Sequence, residues 1–170
     1  MQPRTCSLTA FALTAAVAFG AAAMAADLPK EGTFSGKPAG YGTFRAVAIG
    51  KERLLIVIDD NSLMLTNGFA DHTAWNCFGL GDYTRGVGQD HGYCVGNDPD
   101  GDKLVMNWVD EKHTLGQKAF SGSFTWTTGT GKFAGISGGG SYVEHGNEFL
   151  APGEGSYMTY WPVQGNYELP

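Results

Sequence analysis

The chain has 170 residues and a formal net charge of −6 at pH 7, with charged residues making up only 16% of the sequence. An acidic, charge-poor chain argues against binding to nucleic acid or to an anionic membrane surface, because both need basic patches. The length is enough for one domain with its own hydrophobic core, and the composition is compatible with a neutral or apolar small ligand.

The first 25 residues have the features of a bacterial secretory signal peptide. Arg4 precedes an uncharged, Ala-rich run over Leu8–Ala23, and Ala23-Met24-Ala25 fits a small-x-small cleavage site. The apolar run is short for a membrane span. We therefore predict cleavage near Ala25 and a single mature domain of residues 26–170, located in the periplasm or secreted. No membrane insertion is expected after the signal is removed.

The mature sequence begins with short strand-like segments. Tyr41–Ile49 alternates as expected of a half-buried strand. Arg53–Ile58 contains an unbroken apolar run, which predicts a strand buried on both faces and closed by Asp59–Ser62. Leu63–Thr66 is a further short strand, and the Asn67-Gly68 pair after it is a strong hairpin-turn signal.

Two cysteines, Cys77 and Cys94, remain in the predicted mature chain, each near the middle of a strand-like segment. An even pair in an oxidising compartment predicts one disulfide. The spacing to His72 and His91 leaves a two-Cys two-His zinc site as the alternative. Because oxidation removes the thiolates, the disulfide is favoured, and we expect no metal and no cofactor.

Strand-like segments continue through the second half of the chain. Asn97–Asp102 starts like a calcium loop but lacks the later ligands, so it is interpreted as a turn, with a weak calcium site as the alternative. The strands predicted after it are Leu104–Val109, Gln117–Thr127, Ser141–His145 and Gly155–Gln164. Short strands at regular spacing with Gly-rich turns, and no amphipathic helix, indicate an all-β sandwich or barrel.

The most informative segment is Gly129-Thr-Gly-Lys-Phe-Ala-Gly-Ile-Ser-Gly-Gly-Gly-Ser-Tyr142, in which Phe133 and Ile136 are the large apolar residues. This segment and its flanks resemble the late hairpin of allene oxide cyclase-like and dirigent-like barrels, which are related in shape to the calycins. The resemblance favours a single small antiparallel β-barrel of about eight strands, calycin-like. It also implies a cyclase or isomerase activity as an alternative function, but no catalytic residue can be carried over.

Aromatic and titratable side chains on different strands are candidates for a site. A barrel of about eight strands is either filled by side chains or holds one small ligand. The candidate ligand-binding residues are Trp75, Trp108, Phe124, Trp126, Tyr142 and Tyr157. The candidate acid–base residues, interpreted as solvated charges unless they converge at a barrel mouth, are Glu111, His113, Glu144, His145 and Glu148.

Together these observations predict an exported β-barrel protein that binds a small apolar or amphipathic molecule. One alternative is a cyclase- or isomerase-type enzyme with its pocket inside the barrel. Another is an interaction module that forms homo-oligomers. A non-enzymatic role is favoured over an enzymatic one, because the residues alone identify no catalytic group.

Overall fold

The computed structural model describes residues 28–146 and 154–170. The predicted signal peptide, its cleavage site near Ala25 and the candidate Glu148 lie outside these residues. The described strands are β1 (Glu31–Gly36), β2 (Ala39–Ile49), β3 (Arg53–Leu63), β4 (Ala74–Thr84), β5 (Val87–Asn97), β6 (Lys103–Asp110), β7 (His113–Thr114), β8 (Ala119–Gly129), β9 (Ser137–Gly146), β10 (Glu154–Tyr160) and β11 (Val163–Glu168). A 3-10 turn lies at Gly131–Phe133. No helix in the described ranges is long and apolar enough to cross a membrane.

The strands form one antiparallel sheet that closes on itself. The ring runs β2-β3-β4-β5-β6-β8-β9-β10 and returns to β2, which makes eight strands. β9 pairs with β8 on one side and with both β11 and β10 on the other, and β1 extends the sheet beyond β11. The prediction of an all-β, calycin-like antiparallel barrel of about eight strands is confirmed.

The third strand differs from its prediction. β3 pairs with β2 and with β4 along its whole length, so Asp59–Ser62 continues the strand instead of closing it. Burial alternates, with Ile56 and Asp60 inside and Val57 exposed. The prediction of a strand buried on both faces was therefore wrong. Its apolar residues outnumber the positions that face inward, and the surplus lies on the outer surface.

The predicted hairpin turn at Asn67-Gly68 also differs from the structure. Asn67-Gly68 does not close a hairpin but belongs to the loop of residues 64–73, in which Thr66 donates its N–H to the Asp71 carboxylate. The tight hairpin is instead Arg85-Gly86, between β4 and β5, where both residues have positive φ. The connection between these strands was predicted over Gly81–Gly88, but arginine is not a typical residue for this conformation, so its two-residue turn was not located within that segment.

The interior contains two groups of apolar side chains. The larger group includes Trp75 and Trp126, whose rings stack, together with Phe133 and Ile136 from the glycine-rich segment. Both large apolar residues of that segment are thus buried. The smaller group is Phe44, Ile56 and Tyr83, with partly buried neighbours.

Several interior aromatic rings lie over a glycine on the neighbouring strand. Tyr157 pairs with Gly42, and Tyr142 pairs with Gly122. A Cβ atom added at Gly42 would lie 2.3 Å from Cζ of Tyr157, and one at Gly122 would lie 2.2 Å from Cζ of Tyr142. Because glycine has no side chain, each tyrosine ring can lie against the barrel wall. The interior of the barrel therefore keeps space that the rings would otherwise fill.

Candidate functional site

The barrel encloses a cavity of about 120 Å³. This is well above the roughly 10–15 Å³ that one water needs. Much of its wall is apolar or aromatic, as in most small-molecule sites. The apolar wall includes Ile56, Ile58, Met106, Trp108, Phe120 and Phe124, and the disulfide sulfurs belong to the same wall.

Four acidic residues reach the cavity from four different strands. They are Asp60 on β3, Asp90 on β5, Asp110 at the end of β6 and Glu144 on β9. Strand alternation places each on the inner face. The described residues that line the cavity include no lysine or arginine. The cavity therefore brings four carboxyl groups together, with His113 as the basic side chain among its described lining residues.

Asp90 and His113 are joined through the hydroxyl of Tyr83. Tyr83 donates to Oδ2 of Asp90 at 2.8 Å, and its oxygen lies 2.8 Å from Nε2 of His113. Nδ1 of His113 lies 3.0 Å from the carbonyl oxygen of Glu111, which can only accept, so Nδ1 carries a proton. The ring of His113 stacks on Phe120 with centroids 4.0 Å apart. These contacts fix the imidazole with Nε2 directed at Tyr83.

Asp110 forms the second polar pair. Tyr142 donates its hydroxyl to Oδ1 of Asp110 at 2.5 Å, and the Gln89 side chain donates to the backbone oxygen of Asp110. Burial, with the negative charges of Glu144 and Asp90, raises the pKa of Asp110 to about 8. Asp110 is therefore largely protonated at neutral pH.

Glu144 and Asp60 are shifted in the same direction. Burial, and then the charges of Asp60 and Asp90, raise the pKa of Glu144 to about 7, while a hydrogen bond from Thr159 partly opposes the shift. Burial and neighbouring Asp59 raise the pKa of Asp60 to about 6. Neither carboxyl oxygen of Asp60 has a partner of hydrogen-bond geometry, although nearby hydroxyls partly stabilise its charge. These carboxyls can exchange protons close to neutral pH.

The cysteine prediction is confirmed, and its zinc alternative is wrong. Cys77 and Cys94 are directly opposite in the β4–β5 register and are joined by a disulfide. Their sulfurs are therefore not thiolate ligands. The ring of His72 is exposed and contacts Asp71, and His91 is exposed on the outer face of β5. A disulfide is compatible with an exported protein.

The aspartate-rich turn is organised by a lysine. Nζ of Lys132 lies 2.7 Å from Oδ1 of Asp98 and 2.6 Å from Oδ2 of Asp100. The backbone N–H of Lys132 donates to Asp102. An ammonium group thus occupies the position between the carboxylates where a calcium ion would need to bind.

The six predicted ligand-binding aromatics divide between two places. Trp108, Phe124, Tyr142 and Tyr157 line the cavity. Trp75 and Trp126 lie in the packed core, and the indole of Trp126 donates to a backbone oxygen. That any of the six binds a ligand stays a prediction.

The acid–base candidates behave differently from the expectation of solvated charges. His113 is buried and Glu144 lines the cavity, whereas Glu111 is exposed and contributes its backbone oxygen. His145 is half-buried and stacks on Tyr160. Two of the five therefore converge inside the barrel.

Sequence reasoning missed Asp60, Asp90, Asp110 and Tyr83. Tyr83 fell in the connection predicted over Gly81–Gly88, Asp90 lay between that connection and the next predicted strand, and Asp60 and Asp110 fell in segments interpreted as a turn and a polar connection. A usable signal existed, since Asp90 is four residues from Cys94 and Tyr83 is six from Cys77. Residues an even number apart on one strand share a face. The inward-facing cysteines could thus have identified both.

Comparison with known proteins gives a likeness to a solved structure. No protein-family profile matches the sequence, and no curated protein matches it. Among solved structures, the fold is similar to that of a pterocarpan synthase dirigent protein, with a TM-score of 0.50 and 10% sequence identity, over 90% of this chain and 99% of the other. At this identity the likeness shows the fold alone. The resemblance inferred from the Gly129–Tyr142 segment is supported to that extent: the chain has a dirigent-like β-barrel fold.

Proposed function

We propose that the protein is exported and binds a small amphipathic molecule inside its barrel. The observation that carries the proposal is the cavity itself, in which apolar and aromatic walls surround a few convergent polar groups. This combination is the usual composition of a small-molecule site. The predicted signal peptide and the Cys77–Cys94 disulfide support export.

The polar groups favour a ligand that donates hydrogen bonds. Both carboxyl oxygens of Asp60 and Oδ1 of Asp90 are buried acceptors without a protein partner. Leaving such groups unpaired costs about 1–3 kcal/mol each. A hydroxyl or amine of a ligand would satisfy them, whereas an organic anion would meet unbalanced negative charge.

A matched pair of probes tests this proposal. We expect neutral 2-naphthol to quench the fluorescence of Trp108 and to bind at least about tenfold more tightly than anionic 2-naphthoate, a difference of about 1.4 kcal/mol. Ile58→Trp should fill the cavity and abolish binding. Val57→Trp, on the exposed face of the same strand, is the control and should bind normally. Equal binding by both variants would place the probe outside the barrel.

A second candidate function is proton transfer to or from a bound molecule, as in a cyclase or isomerase. The observation that favours it is Asp110, which is buried, hydrogen-bonded to Tyr142 and has a pKa of about 8. A carboxyl that is protonated at neutral pH can act as a general acid. The similar dirigent protein is named as a synthase, which supports a small-molecule reaction in the same fold.

Isotope exchange separates the two candidates. Any organic molecule that stays bound through purification is incubated with the protein in D₂O. Deuterium at carbon that appears with the unmodified protein but not with Asp110→Asn supports an enzyme. Retention of the molecule by both proteins without exchange supports a binding protein.

A further inference from the structure

We propose that Asp90, Asp110 and His113 together bind one divalent transition-metal cation, of the zinc class, inside the barrel. All three residues are buried, and each offers one ligand atom such that these atoms lie within 4.8 Å of one another. The site goes beyond the binding of an organic molecule and does not depend on it.

The ligand atoms are close enough for one cation if the site contracts slightly and the Tyr83 hydroxyl, which now bridges Asp90 and His113, moves aside. Nε2 of His113 and Oδ2 of Asp90 are 3.9 Å apart. Zinc binds histidine nitrogen and carboxylate oxygen at about 2.0–2.2 Å, so two atoms at this separation can contact one ion between them. Ligand atoms of a tetrahedral zinc ion are about 3.4 Å apart, so this pair would close by about half an ångström and a pair at the 4.8 Å limit by about 1.4 Å.

Each of the three residues already has a partner of the kind that supports a metal ligand. Nδ1 of His113 donates to the backbone oxygen of Glu111, so Nε2 is the nitrogen that would bind the cation once the Tyr83 hydroxyl that now contacts it turns away. Tyr142 donates to Asp110, and Tyr83 donates to Asp90. Such outer contacts orient metal ligands and select the histidine tautomer.

Counting protons shows that the contacts of Tyr83 require one further positive charge, either a second proton or a cation. Two short contacts meet at the Tyr83 oxygen, one to Asp90 and one to Nε2 of His113, but the hydroxyl has a single proton. Without a cation, a second proton must reside on Asp90 or on Nε2 for both contacts to be hydrogen bonds. With a cation on Nε2, the Tyr83 hydroxyl would leave the imidazole and donate its proton to Asp90 alone, and Oδ1 of Asp90, which has no partner, would be free to bind the cation.

The surroundings have the charge that a cation would balance. Asp90 is only 8% exposed, and its Oδ1 has no hydrogen-bond partner. Asp60 and Glu144 also line the cavity, and no lysine or arginine belongs to the described lining. Buried charges normally pair or coordinate metal ions.

Three protein ligands would leave at least one coordination position open toward the cavity. This is the pattern of catalytic metal sites, in which water or substrate takes the remaining position. One histidine with two carboxylates suits Zn²⁺, Mn²⁺ or Fe²⁺ better than a soft thiophilic ion. The cation would polarise an oxygen of whatever molecule occupies the cavity.

The test uses the full chain after export, with its disulfide intact and without reductant, so that no thiol can bind the metal. Metal-free protein is titrated with Zn²⁺ by calorimetry and with Co²⁺ by visible absorption. We expect one equivalent to bind, with a Co²⁺ spectrum of inner-sphere coordination. Asp90→Asn and His113→Gln should each weaken Zn²⁺ binding by more than the roughly 10–100-fold typical of losing an outer contact.

Control variants distinguish metal binding at this site from metal binding by carboxylates or histidines on the surface. His72→Gln and Asp100→Asn alter exposed groups and should leave affinity unchanged within about twofold. Tyr83→Phe keeps all three ligands and should weaken binding by about tenfold. If a ligand variant does not fold, as judged by its thermal transition, the Co²⁺ spectrum of the unmodified protein decides.

Two results would overturn the proposal. One is a folded, unmodified protein that binds neither Zn²⁺ nor Co²⁺ at millimolar concentration. The other is binding that Asp90→Asn and His113→Gln leave unchanged. The 2-naphthol titration is run on metal-free protein, so failure of the cation site and failure of the organic-ligand site are seen separately.

Discussion

Replacement of Glu144 by glutamine should make the protein more stable at neutral and alkaline pH. Glutamine keeps an oxygen that can accept from Thr159 but has no charge to bury. In the folded protein the pKa of Glu144 is raised from 4.5 to about 7, first by burial and then by Asp60 and Asp90. Ionisation of this carboxyl therefore costs the folded state more than the unfolded one.

The sign and size of the effect follow from this shift. The folded state holds the proton more tightly, so the stabilising contribution is complete below about pH 4.5 and is lost as pH rises through about 7. At about 1.4 kcal/mol per pKa unit, the loss is at most about 3 kcal/mol. Water that reaches the cavity would reduce this loss of stability, so we expect the loss to be about 1–3 kcal/mol.

Urea denaturation of metal-free protein at about pH 5 and about pH 8 measures this difference. The unmodified protein should lose stability between the two pH values, and Glu144→Gln should lose less by the amount above. Glu31→Gln, which removes an exposed carboxylate on β1, should follow the unmodified protein within about 0.5 kcal/mol. If Glu144→Gln and the unmodified protein show the same change with pH, Glu144 is not desolvated and the argument fails.

Two further perturbations test the packing of the barrel. Gly42→Ala should destabilise the protein by about 1–3 kcal/mol in urea, because the new Cβ would lie 2.3 Å from Tyr157, whereas Gly146→Ala meets no atom within 4 Å and should be near neutral. Equal effects would show that Tyr157 does not lie over Gly42. Replacing Cys77 and Cys94 together by serine should cost about 3 kcal/mol for the loop of 17 residues. An unchanged thermal midpoint would mean that the disulfide does not form in the isolated protein.

The sequence predicted the fold class because the local signals were consistent with one another. Alternation in β6 and β8 indicated strands, whereas the single strand predicted over Gly155–Gln164 is divided at Pro162 into β10 and β11. Closure of the ring could not be predicted in the same way. It depends on pairing of β10 with β2 and of β8 with β9, and the first of these joins strands more than a hundred residues apart. No local pattern fixes such a register.

The candidate site was harder to predict because its residues come from separate strands. Asp60, Asp90 and Asp110 are each ordinary polar residues in their local sequence, and polar residues are usually solvated. Their burial follows from registers set by the whole ring. His113 was noticed, but its role depends on contacts with Tyr83 and the Glu111 backbone that are invisible without the fold.

The pairing of interior rings with glycines has an evolutionary consequence. At Gly42 with Tyr157, and at Gly122 with Tyr142, the ring occupies the volume that the opposite side chain would need. A mutation at one member alone either creates a clash or opens a hole. The two positions of each pair should therefore covary among related barrels, with the ring moving to the other strand only when the glycine moves too. Such an exchange would redirect the phenol group within the cavity and so change ligand preference without altering the barrel.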